Sequence, residues 1–285
     1  MTPHSPFCYS GFPMAGVETA KGIFFPKIKY ASAFDNFTPE IMNHYESFDG
    51  SVSKVITELE AAYANPARTK DYDYIRIYHP YKLSKAVLDG ELMVKTKDQG
   101  EAHKAHFAVT VLLVSSFANS PDSAKKLAGL KKILKQPELI RIKNASLREE
   151  PDTVHRPDLK SHELADIALD IFTQTGDVPL LVIGIAHAGT RYAVDEFLRL
   201  RTMLSQKNAK NSIFDLFRYS KHYGDSFVKL THYDEDKLKR ESKGRTVVVI
   251  GTPDRVDDAY SRFNFLQKGN YDSDQVRIIK GKLKE

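Results

Sequence analysis

The sequence predicts an α/β protein, with a parallel sheet flanked by helices in the C-terminal half and an α+β N-terminal half built around an antiparallel meander. Three observations carry that expectation. Residues 180–185 (LLVIGI) and 245–250 (RTVVVI) are continuous apolar runs of strand length, the pattern of strands covered on both faces. Helix and strand patterns alternate from 161 to 279, and right-handed crossovers turn such a series into a parallel sheet. Upstream, short alternating or apolar runs joined by a polar turn near 97–100 read as consecutive antiparallel strands.

The 285 residues are 41% hydrophobic and 28% charged, and 42 Lys and Arg against 37 Asp and Glu give a formal charge of +5. Such a chain can bury a sizeable core, which excludes collagenous, disulfide-stapled and wholly disordered classes. Cys8 is the single cysteine, so no internal disulfide is expected. The first 17 residues lack the basic start and continuous apolar core of a secretory leader, and the expected location is the cytoplasm. The longest apolar runs, about eight residues at 107–114 and 179–186, fall short of the roughly 20 needed to cross a bilayer. No membrane partner is expected.

In order along the chain, a short β-like run at 23–30 precedes a helix start at Thr38, Pro39 and Glu40, where a cap residue is followed by a first-turn proline and an acid. Residues 53–63 place Val55, Ile56, Leu59 and Ala62 on one helical face. Residues 74–79 (YIRIYH) alternate as a half-buried strand does, and 88–95 and 103–117 complete the expected meander. Residues 124–135 (AKKLAGLKKILK) form a basic amphipathic helix over Leu127, Leu130, Ile133 and Leu134. A short strand at 139–142 and a charged, proline-containing linker at 144–160 follow, and they suggest two domains, 1–155 and 156–285. The second domain reads as a helix over Leu164, Ile167, Ala168, Ile171 and Phe172, a strand at 180–185, a helix from 191 to about 204, and an aromatic insert with a helix near 213–220. A strand at 245–250, a helix over Val256, Ala259, Tyr260 and Phe263, and a strand at 275–279 complete it.

Two strand-to-helix turns in that half are the candidate site, because open α/β sheets bind ligands outside the carboxyl ends of their strands. At 186–191 (AHAGTR), Gly189 lets backbone approach a ligand, and the amides of Thr190 and Arg191 open a helix whose dipole favours an anion. His187 and Arg191 add donors or positive charge. At 251–258 (GTPDRVDD), Asp254, Asp257 and Asp258 suit sugar hydroxyls or a hydrated Mg²⁺. His103 and His106, three apart on an expected strand, would point to opposite faces and share no metal.

The stretches 182–193 (VIGIAHAGTRYA) and 244–250 (GRTVVVI), separated by a polar insert, resemble the type I phosphoribosyltransferases. That resemblance implies a parallel α/β core and a substrate, phosphoribosyl pyrophosphate with Mg²⁺, attacked at its anomeric carbon by a base nitrogen. It also implies that Ala188, Gly189 and Thr190 contact pyrophosphate. The family's acidic pair follows its strand directly, where this chain has Gly251 and Thr252. Either Asp254, Asp257 and Asp258 act from a shifted register as the catalytic and metal-binding acids, or the fold persists without transferase activity. Residues 181–192 are also similar to the second histidine motif of the histidine phosphatases, but 74–80 hold Arg76 and His79 without that family's Arg-His-Gly. Without that nucleophile a phosphohistidine mechanism has no start. A third possibility is a non-catalytic interaction protein whose basic helix and tyrosine-rich 71–85 segment bind nucleic acid or a protein partner.

Overall fold

The structure is a computed structural model that describes residues 16–18, 24–26, 50–65, 70–147, 161–186, 190–218, 230–251, 263 and 278–282. β1 (Gly16–Glu18) and β2 (Phe24–Pro26) pair antiparallel. The N-terminal layer is otherwise helical: α1 (Val52–Ala64), α2 (Lys70–Met93), α3 (Gln99–Phe117), α4 (Ser123–Ile133) and α5 (Ile140–Lys143). Ser51 opens α1 by accepting a hydrogen bond from the Lys54 amide at 3.2 Å. Gly50–Ser51 (β3) pairs with Ser146–Leu147 (β4) and ties the two ends of this layer together. Its core is Leu59, Leu83, Val87, Ala105, Leu112, Leu130 and their neighbours.

The expected meander is not there, since 74–79 and most of 88–95 lie in α2 and 103–117 in α3. The physical reason is burial on more than one side. Leu83 and Val87 of α2 face the helical core, whereas Tyr78, Tyr81 and Leu88 join a second core shared with the sheet. Ala105, Val109 and Leu112 of α3 likewise face one core and Leu113, Val114 and Phe117 the other. A helix covered on two sides shows no single apolar stripe, and short pieces of it imitate a strand. The short strand expected at 139–142 is also helical, a 3₁₀ turn (Pro137–Leu139) running into α5.

The C-terminal half is the expected parallel sheet with flanking helices. Its elements are α6 (Ser161–Thr175), β5 (Leu180–Ala186), α7 (Thr190–Met203), α8 (Gln206–Asn211), β6 (Ile213–Arg218), α9 (His232–Glu241), β7 (Thr246–Gly251) and β8 (Ile278–Lys282). The sheet order is β6-β5-β7-β8, all parallel. The helix expected near 213–220 is instead strand β6. Phe214 and Leu216 enter one core and Phe217 the other, so its apolar residues alternate between two covered faces. Phe263 is helical and fully buried against Phe217. The helix start at 38–40, the 148–160 part of the linker and the rest of the expected 256–263 helix lie outside the described residues.

One hydrophobic core joins Tyr78, Leu113 and Phe117 with Leu164, Val182, Phe197 and Ile250, so it takes side chains from both sides of residue 155. The other sheet face carries Leu181, Ile183, Val247 and Val249 with Leu238 of α9. Among the described residues no helix is long and apolar enough to cross a membrane.

Candidate functional site

Strand order fixes where this sheet opens. β5 comes first in the chain but lies between β6 and β7, so the order reverses between β5 and β7. Their parallel register pairs Gly184 with Ile250, which brings the carboxyl ends of β5 and β7, where the two candidate turns begin, side by side. A reversal of this kind leaves a crevice outside the strand ends. The chain leaves β5 at Ala186 and enters α7 at Thr190. Thr190 is buried and its hydroxyl has no hydrogen-bond partner among the described residues. The Arg191 guanidinium donates to the Tyr192 hydroxyl at 2.5 Å and lies 4.7 Å from that ring's centre.

Gly184 sets how closely α7 approaches. A Cβ there would stand 2.8 Å from both the Ala193 Cβ and the Leu216 Cδ2, so hydrogen is the substituent that lets helix and strand meet. Of the residues singled out from sequence, Thr190 and Arg191 stand at this helix start. His187, Ala188, Gly189, Asp254, Asp257 and Asp258 lie outside the described residues.

A second polar assembly occupies the edge of the sheet, where α2, α3 and α9 meet β6. His103 and His106 fall on one face of α3, because three residues span nearly one helical turn. The expectation that they face apart is corrected along with the strand that carried it. His103 Nδ1 lies 3.3 Å from Glu91 Oε1 and 3.2 Å from Asp234 Oδ1. His106 Nδ1 lies 2.7 Å from Glu91 Oε2 and 3.8 Å from Asp234 Oδ1. One ligand atom from each of Glu91, His103, His106 and Asp234 lies within 4.8 Å of all the others, so these four residues could hold a metal ion. The other assignment of a metal, Mg²⁺ at Asp257 and Asp258, falls on residues outside those described.

Local structure orients this cluster. Asp234 is the third residue of a capping box, in which its Oδ2 accepts from the Thr231 amide at 2.8 Å and the Thr231 hydroxyl at 2.9 Å. Cap formation therefore occupies Oδ2 and leaves Oδ1 to the cluster. Behind His106, Asp215 of β6 sits with Oδ1 3.7 Å from His106 Nε2 and Oδ2 2.5 Å from Lys237 Nζ. Phe217 packs edge-on against the His106 ring, and Tyr233 stacks on His103.

Burial and charge compete throughout. For His103, burial disfavours the charged ring, but Asp234 and Glu91 more than offset it and push the pKa up to about 9. Burial of His106 is likewise outweighed, chiefly by Glu91, and its pKa is raised. Burial favours a neutral Glu91, yet His106 and His103 bring its pKa down to about 2. The neighbouring carboxylates thus favour the protonated form of both histidines.

The spacing H-x-x-H at 103–106 was the available signal. It points to a shared ligand only on a helix, and the strand reading of 103–117 suppressed it. Compared with known proteins, the chain matches no family model, no curated protein and no solved structure.

Proposed function

We propose that the C-terminal sheet binds a phosphorylated small molecule, a nucleotide or phosphoribosyl pyrophosphate, in the crevice outside β5 and β7. The observation that supports this reading is the adjacency of two strand ends. The turns singled out separately in the sequence leave neighbouring parallel strands at the point where strand order reverses. In this reading the start of α7 meets the phosphate. Amides from Gly189 to Arg191 donate to it, and so does the Thr190 hydroxyl, which has no partner among the described residues. His187 and Arg191 balance its charge, while Asp254, Asp257 and Asp258 take ribose hydroxyls or Mg²⁺.

If the resemblance to phosphoribosyltransferases extends to chemistry, a base nitrogen attacks the anomeric carbon and pyrophosphate leaves. The protein then contributes positioning and charge stabilisation, with no covalent intermediate. The test is thermal unfolding of the full chain with phosphoribosyl pyrophosphate, ribose 5-phosphate, nucleotides or pyrophosphate, each with and without Mg²⁺. A ligand at 100 times its Kd adds roughly 2.7 kcal/mol of stability. A Mg²⁺-dependent rise with the sugar pyrophosphate is expected, and no rise with any of these ligands rejects the reading.

A further inference from the structure

We infer that Glu91, His103, His106 and Asp234 form a binding site for a four-coordinate transition-metal ion, Zn²⁺ by ligand chemistry, that fastens α9 to the α2–α3 pair beside the sheet edge. The inference stands apart from the phosphate reading, since these residues lie beside β6 and not at the carboxyl ends of β5 and β7.

Spacing is the first argument. Ligand atoms 2.0–2.2 Å from a tetrahedral Zn²⁺ stand about 3.3–3.6 Å from one another. His103 Nδ1 already stands 3.3 Å from a Glu91 oxygen and 3.2 Å from Asp234 Oδ1. His106 Nδ1 stands 3.8 Å from Asp234 Oδ1, and the 2.7 Å hydrogen bond between His106 Nδ1 and Glu91 must lengthen to admit the ion. The second argument is direction. Asp234 Oδ1 is buried and, among the described residues, makes no well-aligned hydrogen bond although His103 Nδ1 stands 3.2 Å away. His103 Nδ1 is aligned with Glu91 Oε1 instead, so an Asp234 lone pair is left to the cluster.

Charge is the third argument. With both imidazoles neutral, as metal ligands must be, Glu91, Asp234 and Asp215 face one cation, Lys237, which also interacts with the Glu241 carboxyl. A divalent ion offsets that excess of acidic groups, in a place where isolated charge is costly. Two imidazoles, two carboxylates and no thiolate suit Zn²⁺ and disfavour Mg²⁺ and Ca²⁺, which prefer all-oxygen sites. Around the ligands, the helix cap fixes Asp234 as the outer partners of a built metal site do; Asp215 faces His106 Nε2 at 3.7 Å, too far for a hydrogen bond. Glu91, His106 and Asp234 are each at most 2% exposed, and all four tetrahedral positions have a protein ligand. Such a closed set is the form of a structural site.

The experiment uses the full chain without a histidine tag, stripped with a chelator and titrated with Zn²⁺, Mn²⁺, Mg²⁺ or Ca²⁺, with bound metal counted by mass spectrometry after gel filtration. Expected are one Zn²⁺ per chain, a rise in melting temperature on its return, and a visible absorption spectrum of tetrahedral type when Co²⁺ replaces it. His103→Gln, at the most exposed ligand, and Asp234→Asn should each weaken binding by at least roughly tenfold, the scale reached when even outer partners of a metal site are lost. The inference is overturned if the wild-type chain takes up no Zn²⁺ at micromolar concentration and balances the cluster with protons alone. It is equally overturned if Mg²⁺ or Ca²⁺ binds in preference, or if both variants bind as the wild type does.

Discussion

Glu91 divides its carboxylate between two histidines of the next helix, with Oε1 3.3 Å from His103 Nδ1 and Oε2 2.7 Å from His106 Nδ1. That one side chain joins α2 to α3 inside the protein, and its oxygens are the closest carboxylate atoms to His106 Nδ1. Removing one partner of a buried charged set leaves the others uncompensated, which typically costs about 3–5 kcal/mol. Glu91→Ala should therefore destabilise the chain by that amount in urea unfolding. A loss below about 1 kcal/mol would mean that water or another group replaces the carboxylate.

Two glycines should respond oppositely to a side chain. At Gly184 a Cβ would stand 2.8 Å from Ala193 and Leu216, and overpacking of this kind costs roughly 1–3 kcal/mol. At Gly129, on the exposed side of α4, a Cβ would meet nothing within 4 Å. Alanine there should gain roughly 0.5–1 kcal/mol from helix propensity. Thermal unfolding of Gly184→Ala and Gly129→Ala measures both, and equal shifts would contradict the packing described between β5 and α7.

α7 is covered almost all round yet contains Asp195, Glu196 and Arg199. Asp195 pairs with Arg199 at 2.6 Å, whereas both carboxyl oxygens of Glu196 are buried without hydrogen-bond partners among the described residues. Burial first, and then the Asp195 charge, push the Glu196 pKa well above its ordinary value of 4.5. The folded chain thus keeps a proton that the unfolded chain releases above pH 4.5. This contribution to stability is complete below that pH and is lost as pH rises through the folded value. Urea unfolding from pH 4 to 9 should show Glu196→Gln gaining on the wild type with rising pH, and a pH-independent difference would contradict it.

Much of the sheet was legible because β5 and β7 are short apolar runs bounded by turn residues, and each side of a parallel sheet demands that composition. α2 and α3 were not. Their burial is divided between two cores, so Tyr78 with Tyr81 and Leu83 with Val87 obey different neighbours and no stripe emerges. The cost passed directly to the site, since a strand reading turns His103 and His106 apart and a helix brings them together. The helix start at Thr190 and Arg191 was legible because a turn after a buried strand is recognisable locally. Asp234 and Glu91 reach the cluster only through tertiary contacts between distant helices, which local pattern does not encode.

The proposed phosphate site makes its sharpest demand on Thr190. Its hydroxyl is buried without a partner among the described residues, and such a group costs about 1–3 kcal/mol, so Thr190→Val should leave the unliganded chain as stable as the wild type or more so. If that hydroxyl awaits a phosphate, the same variant should bind the ligand roughly 10- to 100-fold more weakly, the loss of one hydrogen bond to a charged group. The decisive measurement is calorimetric titration of phosphoribosyl pyrophosphate with Mg²⁺ into wild type and Thr190→Val, alongside their melting temperatures. Unchanged or higher stability with weakened binding is the predicted result. Equal binding in both proteins, or none in the wild type, contradicts a phosphate site at the start of α7.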